Sequence, residues 1–167
     1  GKAQELAKGA KGFVVKAVLL GDGVAEQAQE LCHYGIDEVA VYDDPALSFF
    51  RTDVFACCIE DYIRACRPSV VLIGATSLGR SLAPRLSTRF HTGLTADCTR
   101  LEMHENTDLV QIRPAFGGNI MAQIVTTRTR PQFATVRYKV MDAPMRMDAS
   151  AGEIVRRALP AGVASSR

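Results

Sequence analysis

The residues best equipped for chemistry in this sequence are its arginines, together with a glycine turn that introduces three of them. Gly74-Ala75-Thr76-Ser77-Leu78-Gly79-Arg80 follows the apolar run Val70 to Ile73 and precedes a helix-favouring stretch. A glycine turn between a strand and a helix exposes backbone N–H groups, and the helix dipole adds to their hold on an anion. Thr76 and Ser77 carry hydroxyls that can cap the helix or donate to a phosphate. The stretch lacks the Gly-Lys-Ser/Thr of a phosphate loop and does not match GxGxxG. Two readings stay open: an anion site, or a tight turn that lets the helix pack closely on the sheet.

Arg80, Arg85 and Arg89 lie on the helix that follows, with Leu82, Leu86 and Phe90 as its apolar stripe. Arginine favours planar pairing with carboxylate or phosphate, so this helix suits an interface as well as a solvated face. Pro84 is out of place in a helix interior, and a kink or a first-turn position is expected there. A second basic stretch runs from Leu109 to Met141, where Arg113, Arg128, Arg130, Arg137 and Lys139 occur with no Asp or Glu. Strand alternation puts several of these cations on an exposed side, unless acids from other segments neutralise them.

Other chemistry has little support. Asp97, in Thr92-Gly-Leu-Thr-Ala-Asp-Cys98, is expected to accept backbone N–H groups in a turn and has no evident partner for acid catalysis. His33, His91 and His104 show no metal-ligand spacing, so no metal site is expected. The cysteines at 32, 57, 58, 66 and 98 form no CxxC pair, and an odd count fits reduced thiols in the cytoplasm. No nucleophile elbow is present, and no catalytic residue is expected.

The elements that hold these residues follow from hydrophobic period. Lys2 to Lys8 reads as a helix, Phe13 to Leu20 as a strand covered on both faces, and Val24 to Tyr34 as a helix stopped by Gly35. Glu38 to Tyr42 is a short strand, and Phe50 to Cys66 an amphipathic helix ended by Pro68. Strand and helix in alternation predict a doubly wound, mostly parallel α/β sheet. After Phe90 the period shortens. Thr95 to Glu102, Leu109 to Ala115, Asn119 to Thr127 and Gln132 to Val140 read as strands, expected to add antiparallel pairing at an edge. Gly117-Gly118-Asn119 reads as a hairpin turn requiring positive φ. From Asp142 the composition shifts to Ala, Ser, Met, Gly and Pro. A brief helix over Ala149 to Leu159 fits the pattern, and 142–167 as a whole reads as linker after a domain over 1–141.

A hydrophobic fraction of 47% and a charged fraction of 23% are those of a globular protein. A net charge of +2 is too small to indicate a nucleic-acid partner, and no apolar run nears the roughly 20 residues a membrane span needs.

Two stretches, LGRSLAPRLSTRFHTGLTADC and RPAFGGNIMAQIVTTRTRPQFATVR, resemble the N-terminal domain of the electron transfer flavoprotein alpha family, and the similarity runs from about Phe13 to Asp142. The resemblance implies an adenine nucleotide alpha hydrolase-like sheet. It implies a heterodimer with a beta subunit, and electrons arriving from acyl-CoA dehydrogenases or similar partners, as in fatty acid β-oxidation. The family holds FAD mainly in a C-terminal domain, which this sequence does not include, so no flavin contact carries over to these residues. The family normally begins with a strand ahead of the first helix, and this sequence is expected to start after that strand. The chain is then an electron-carrier scaffold rather than an enzyme, with Thr76, Ser77, Arg80, Arg85, Arg113 and Arg137 as candidate anion or interface residues. The alternative is a nucleotide-binding module of the universal-stress-protein type that uses the Gly74 to Gly79 turn.

Overall fold

The computed structural model describes residues 1–9, 12–115, 117 and 120–164. They form two compact units, one of residues 14–66 with 144–167 and the other of residues 1–13 with 67–143.

In the unit of residues 14–66 and 144–167, β1 (Lys16–Gly21), β2 (Glu38–Asp43) and β9 (Glu153–Arg156) make a parallel sheet with β2 in the middle. Its central place follows from its letters, because a strand buried on both faces must be apolar throughout. Ala40 and Tyr42 point to one face, where they meet Val54, Cys58 and Tyr62 of α3 (Thr52–Cys66). Val39 and Val41 point to the other, against Ala28 of α2 (Ala25–Leu31) and Cys32. The helix over 24–34 is shorter than its pattern predicts. Cys32–Tyr34 tightens into a 3-10 turn, and Gly35 closes it at φ +66°, a conformation that favours glycine.

The sequence predicts a short helix over 149–159, and the structure has β9 there instead. Ile154 and Val155 are β-branched, and the open side of β2 offers a ladder from Glu38↔Glu153 to Val41↔Arg156, so sheet pairing overrides local propensity. Beyond β9, Arg157 enters a polar network. Its Nε donates to Tyr42 Oη at 2.9 Å and its Nη2 to Asp61 Oδ2 at 3.0 Å, while Tyr42 donates to the same carboxylate at 2.6 Å. The guanidinium also lies 5.9 Å from the Tyr42 ring centre and 5.6 Å from that of Tyr62. Tyr62 in turn donates to Glu38, which Lys16 also reaches. Leu159 and Val163 pack on the same core.

The unit of residues 1–13 and 67–143 contains a second parallel sheet, of β3 (Val70–Gly74), β8 (Gln132–Val136) and β4 (Leu94–Cys98), with β8 in the middle. It also contains an antiparallel sheet of β5 (Arg100–Met103), β6 (Leu109–Pro114) and β7 (Met121–Val125). The doubly wound α/β class with added antiparallel strands holds, but the last strand of the second half, β8, is parallel and central rather than antiparallel.

The single strand expected over Thr95 to Glu102 is two strands. Asp97 adopts φ +61°, its N–H donates to Thr135 Oγ1 at 2.8 Å, and the register with β8 shifts between Thr95 and Cys98. The chain thereby leaves the parallel sheet and enters the antiparallel one. Gln132 sits fully buried, because its amide serves two backbone groups: Oε1 accepts from Leu109 N–H at 2.7 Å and Nε2 donates to Thr107 O at 2.9 Å. In the turn between β6 and β7, Gly117 has φ +80° and Ala115 N–H donates to Ile120 O at 2.7 Å. Gly118 and Asn119 of that expected turn lie outside the described residues.

Helix α4 (Ser77–Arg89) buries Leu82, Ala83 and Leu86. Pro84 falls inside it rather than in its first turn. Its carbonyl accepts from Thr88 Oγ1 at 2.8 Å and Ser87 Oγ at 3.1 Å. Helix α1 (Lys2–Lys8) contributes Leu6 to a core with Cys98, Leu101 and Leu109. No helix of the described residues is long and apolar enough to cross a membrane.

Candidate functional site

Three parallel strands of one sheet end together, and their carboxyl ends carry most of the candidate residues. The backbone fixes the arrangement: Ala75 N–H donates to Val136 O at 2.8 Å, and Arg137 N–H donates to Cys98 O at 2.9 Å. The end of β3 is therefore stitched to the end of β8, and β8 to β4. Ligands of open α/β sheets gather at such strand ends.

Thr76 is the N-cap of α4, and its hydroxyl accepts from Gly79 N–H at 3.1 Å. Ser77 is exposed in the first turn. Gly79 has a packing reason to be glycine. A Cβ built there would collide with the Gly74 carbonyl oxygen and lie 2.9 Å from Ile73 Cγ2. The turn is thus built for close approach of helix to strand, and one of the donors that a phosphate would use is already taken by Thr76. Of the two readings of this turn, the packing one accounts for both glycine contacts.

The arginines behave differently. Arg137, just beyond β8, makes a forked pair with Asp97: Nη2 to Oδ2 at 2.6 Å, and Nε to both oxygens at 3.1 and 3.2 Å. That pairing holds the Asp97 carboxyl below the usual carboxylate range, and the charges of Arg113 and Arg80 add to the effect. Only Arg137 bonds this carboxylate; Arg80, in the first turn after β3, and Arg113, next to Ile112 whose carbonyl accepts from Thr99 N–H at 2.9 Å, act on it through charge alone. Arg80 is exposed and Arg113 half-buried, and neither has a carboxylate or hydrogen-bond partner among the described residues. Arg85 is exposed farther along α4 and does not join the group.

Asp97 is expected from sequence to accept backbone N–H groups. It accepts from the Arg137 guanidinium instead, because its positive-φ kink turns its own N–H to Thr135 and frees the carboxylate for the neighbouring strand end. Sequence reading thus missed a pair forty positions apart, which is visible only once β4 and β8 are known to be neighbours. The basic stretch 109–141 is in part neutralised from outside, since Asp97 takes Arg137 and Asp108 takes Arg130 at 2.7 Å. Arg113 and Arg128 keep their charge unpaired among the described residues.

The thiols are quiet. Cys98, fully buried at the end of β4, is pushed up to about 11 by burial, as is Cys58 in α3. Among the described residues no three His, Cys, Asp or Glu side chains come together as metal ligands would.

Comparison with known proteins adds what geometry alone does not. A family model described as the electron transfer flavoprotein domain matches residues 1–161. The lactate dehydrogenase (NAD(+),ferredoxin) subunit LctC of Acetobacterium woodii is 59% identical over 154 residues, which cover 92% of this chain and 37% of that protein. The electron transfer flavoprotein subunit alpha of Thermoanaerobacterium thermosaccharolyticum is 46% identical over 156 residues, 93% of this chain and 47% of that one. The acryloyl-CoA reductase electron transfer subunit beta of Anaerotignum propionicum is 42% identical over 154 residues, 78% and 42% of the two chains. The chain spans less than half the length of these curated relatives.

Proposed function

The chain belongs to the electron transfer flavoprotein family, and from that membership we propose that it is the N-terminal scaffold of an alpha-type subunit. In this reading residues 1–141, with β9 added to their first sheet, form a base that pairs with a beta subunit, and the chain beyond leads toward a C-terminal domain that holds FAD. The assembled heterodimer is cytoplasmic and carries electrons from a dehydrogenase. The observation that carries the reading is the family match across residues 1–161, joined to relatives that are themselves named as electron-transfer subunits.

The donor need not be an acyl-CoA dehydrogenase. One relative is named as a subunit of a lactate dehydrogenase and another as part of an acryloyl-CoA reductase, so the class proposed is a dehydrogenase that releases electron pairs to a flavin.

The described residues are a poor fit for the flavin itself. One cavity, of about 380 Å³, is lined by Glu26, Glu30 and Asp43 beside Arg156 and His33, and its excess of carboxylates repels a pyrophosphate. Another, of about 430 Å³, has Glu5 and Asp142 beside Lys2 and Arg100 and no aromatic wall for an isoalloxazine ring. FAD, when bound to the full protein, supplies the two-electron chemistry, and this chain supplies position and electrostatics. Arg80, Arg85, Arg113 and Arg137 are the proposed polar contacts of the base, with Thr76 and Ser77 at its edge. The universal-stress-type reading loses ground at Gly79, whose N–H is held by Thr76.

The test is to co-express the full-length protein with its neighbouring beta-type subunit and purify through a tag on one of them. A yellow heterodimer with flavin absorbance is expected. A colourless monomer would overturn the proposal.

A further inference from the structure

We propose that the strand ends around Asp97 form a docking patch for an acidic segment of the partner subunit, with Arg80 and Arg113 as the contacting cations and Asp97 as the residue that holds Arg137 in reserve. The inference rests on the pairing with a beta subunit and goes beyond it by assigning the chemistry of the contact.

Three observations carry it. First, three arginines lie at these strand ends near one carboxylate, and only Arg137 is bonded to it, while the Arg80 and Arg113 guanidiniums make no hydrogen bond or ion pair among the described residues. Arg113 is half-buried, with the Asp97 charge near it and no carboxylate bonded to it among the described residues. Second, the forked Arg137–Asp97 pair demonstrates that the patch accepts a carboxylate in planar geometry. Third, exposed apolar side chains lie close in sequence to two of the arginines. Leu78 is 51% exposed in the same helical turn as Arg80, and Tyr138, next to Arg137, is 68% exposed. Arginine and tyrosine are the residue types that anchor protein interfaces.

A carboxylate-bearing segment suits the patch better than a phosphate. The Asp97 charge lies near these arginines and opposes a compact dianion, whereas separate carboxylates can engage Arg80 and Arg113 one by one. The backbone donors at the α4 start are also reduced by the Thr76–Gly79 bond. Asp97 has a definite task here. It keeps Arg137 neutralised and oriented until the partner arrives, which lowers the attraction for unrelated anions.

The experiment uses the full-length protein with its beta subunit and measures association at low and high salt for the parent, R80E/R113E and D97N. Circular dichroism checks that each variant is folded. R80E/R113E is expected to weaken association roughly tenfold or more and to flatten its salt dependence. D97N releases Arg137 and is expected to steepen that dependence. If the parent heterodimer forms and R80E/R113E associates equally well at both salt levels, the patch assignment is wrong while the pairing stands. If the parent forms no heterodimer, the pairing fails, and a labelled oligoglutamate peptide then decides for the patch. Binding to the parent and loss in R80E/R113E would support it. Equal binding, no binding, or tighter binding of inorganic phosphate than of the peptide would overturn it.

Discussion

Replacing Arg157 by alanine tests the claim that residues after Pro144 are part of a folded unit. The side chain makes a 2.9 Å bond to Tyr42 Oη and a 3.0 Å bond to Asp61, and faces two tyrosine rings at 5.9 and 5.6 Å. A hydrogen bond to an ionised group contributes ~1.5–3 kcal/mol when shielded from water. The Arg157 and Asp61 side chains are 28% and 40% exposed, so screening lowers the ion-pair contribution to about 1 kcal/mol. Each ring contact at such a site adds ~0.5 kcal/mol, which brings the total to about 2 kcal/mol. Tyr42 keeps its bond to Asp61 in the variant, so no buried hydroxyl is orphaned. Urea unfolding of the chain should shift its midpoint accordingly, with thermal unfolding lowered by ~4–8 °C. Arg157→Lys keeps the charge but not the fork and should recover about half of the loss.

The pH dependence gives the same experiment a second readout. The Asp61 carboxyl is held below the usual carboxylate range by the Tyr42 hydroxyl and then by Arg157. A depressed carboxylate stabilises the fold above its unfolded value of about 4, and that stabilisation is lost as pH falls through the lower, folded value. The gap between parent and Arg157→Ala should therefore narrow on acidification. An alanine variant that unfolds at the parent midpoint at neutral pH would refute the argument.

Thr76→Ala removes the cap on Gly79 N–H and should cost ~1 kcal/mol in urea unfolding, with Thr76→Ser restoring most of it. Gln132→Leu strands the buried Leu109 N–H and the Thr107 carbonyl, so a loss of ~2–4 kcal/mol is expected from the same assay. Thiol labelling near pH 8 should be slow at Cys58 and Cys98, which are buried and pushed up to about 11, and faster at the half-buried Cys57. Comparable rates at all three sites by mass spectrometry would contradict the burial.

Much of the unit built around β2 was legible because its signals are local. Glu38 to Tyr42 reads as a short strand, and the spacing of Val54, Cys58 and Tyr62 reads as one helix face, as the structure has them. What was not legible depends on which strands become neighbours. Ile154 and Val155 look like the start of a weak helix until β2 is known to have an open side for them. Thr95 to Glu102 reads as one strand because the kink at Asp97 is stabilised by Thr135, forty residues less two along the chain. The site has the same split. Arg80, Arg113 and Arg137 were identifiable as exposed cations in strand and helix contexts, whereas their nearness to Asp97 depends on the order β3-β8-β4.

That order also separates structural charges from functional ones. Arg157, Arg146 and Lys16 each face a carboxylate of their own unit, and Arg130 faces Asp108 in the other. Those pairs are accounted for by the fold, since each charge meets its counter-charge within its own unit. Arg113 has no such account. It occupies a half-buried strand position, and Arg80 is exposed in the first turns of α4, neither guanidinium making a hydrogen bond or ion pair among the described residues. Such cations can be met by an anion that a partner brings. Because Asp97 already satisfies Arg137 with both oxygens, the unmet demand is located at Arg80 and Arg113, and a partner's carboxylates meet it without disturbing the strand ends.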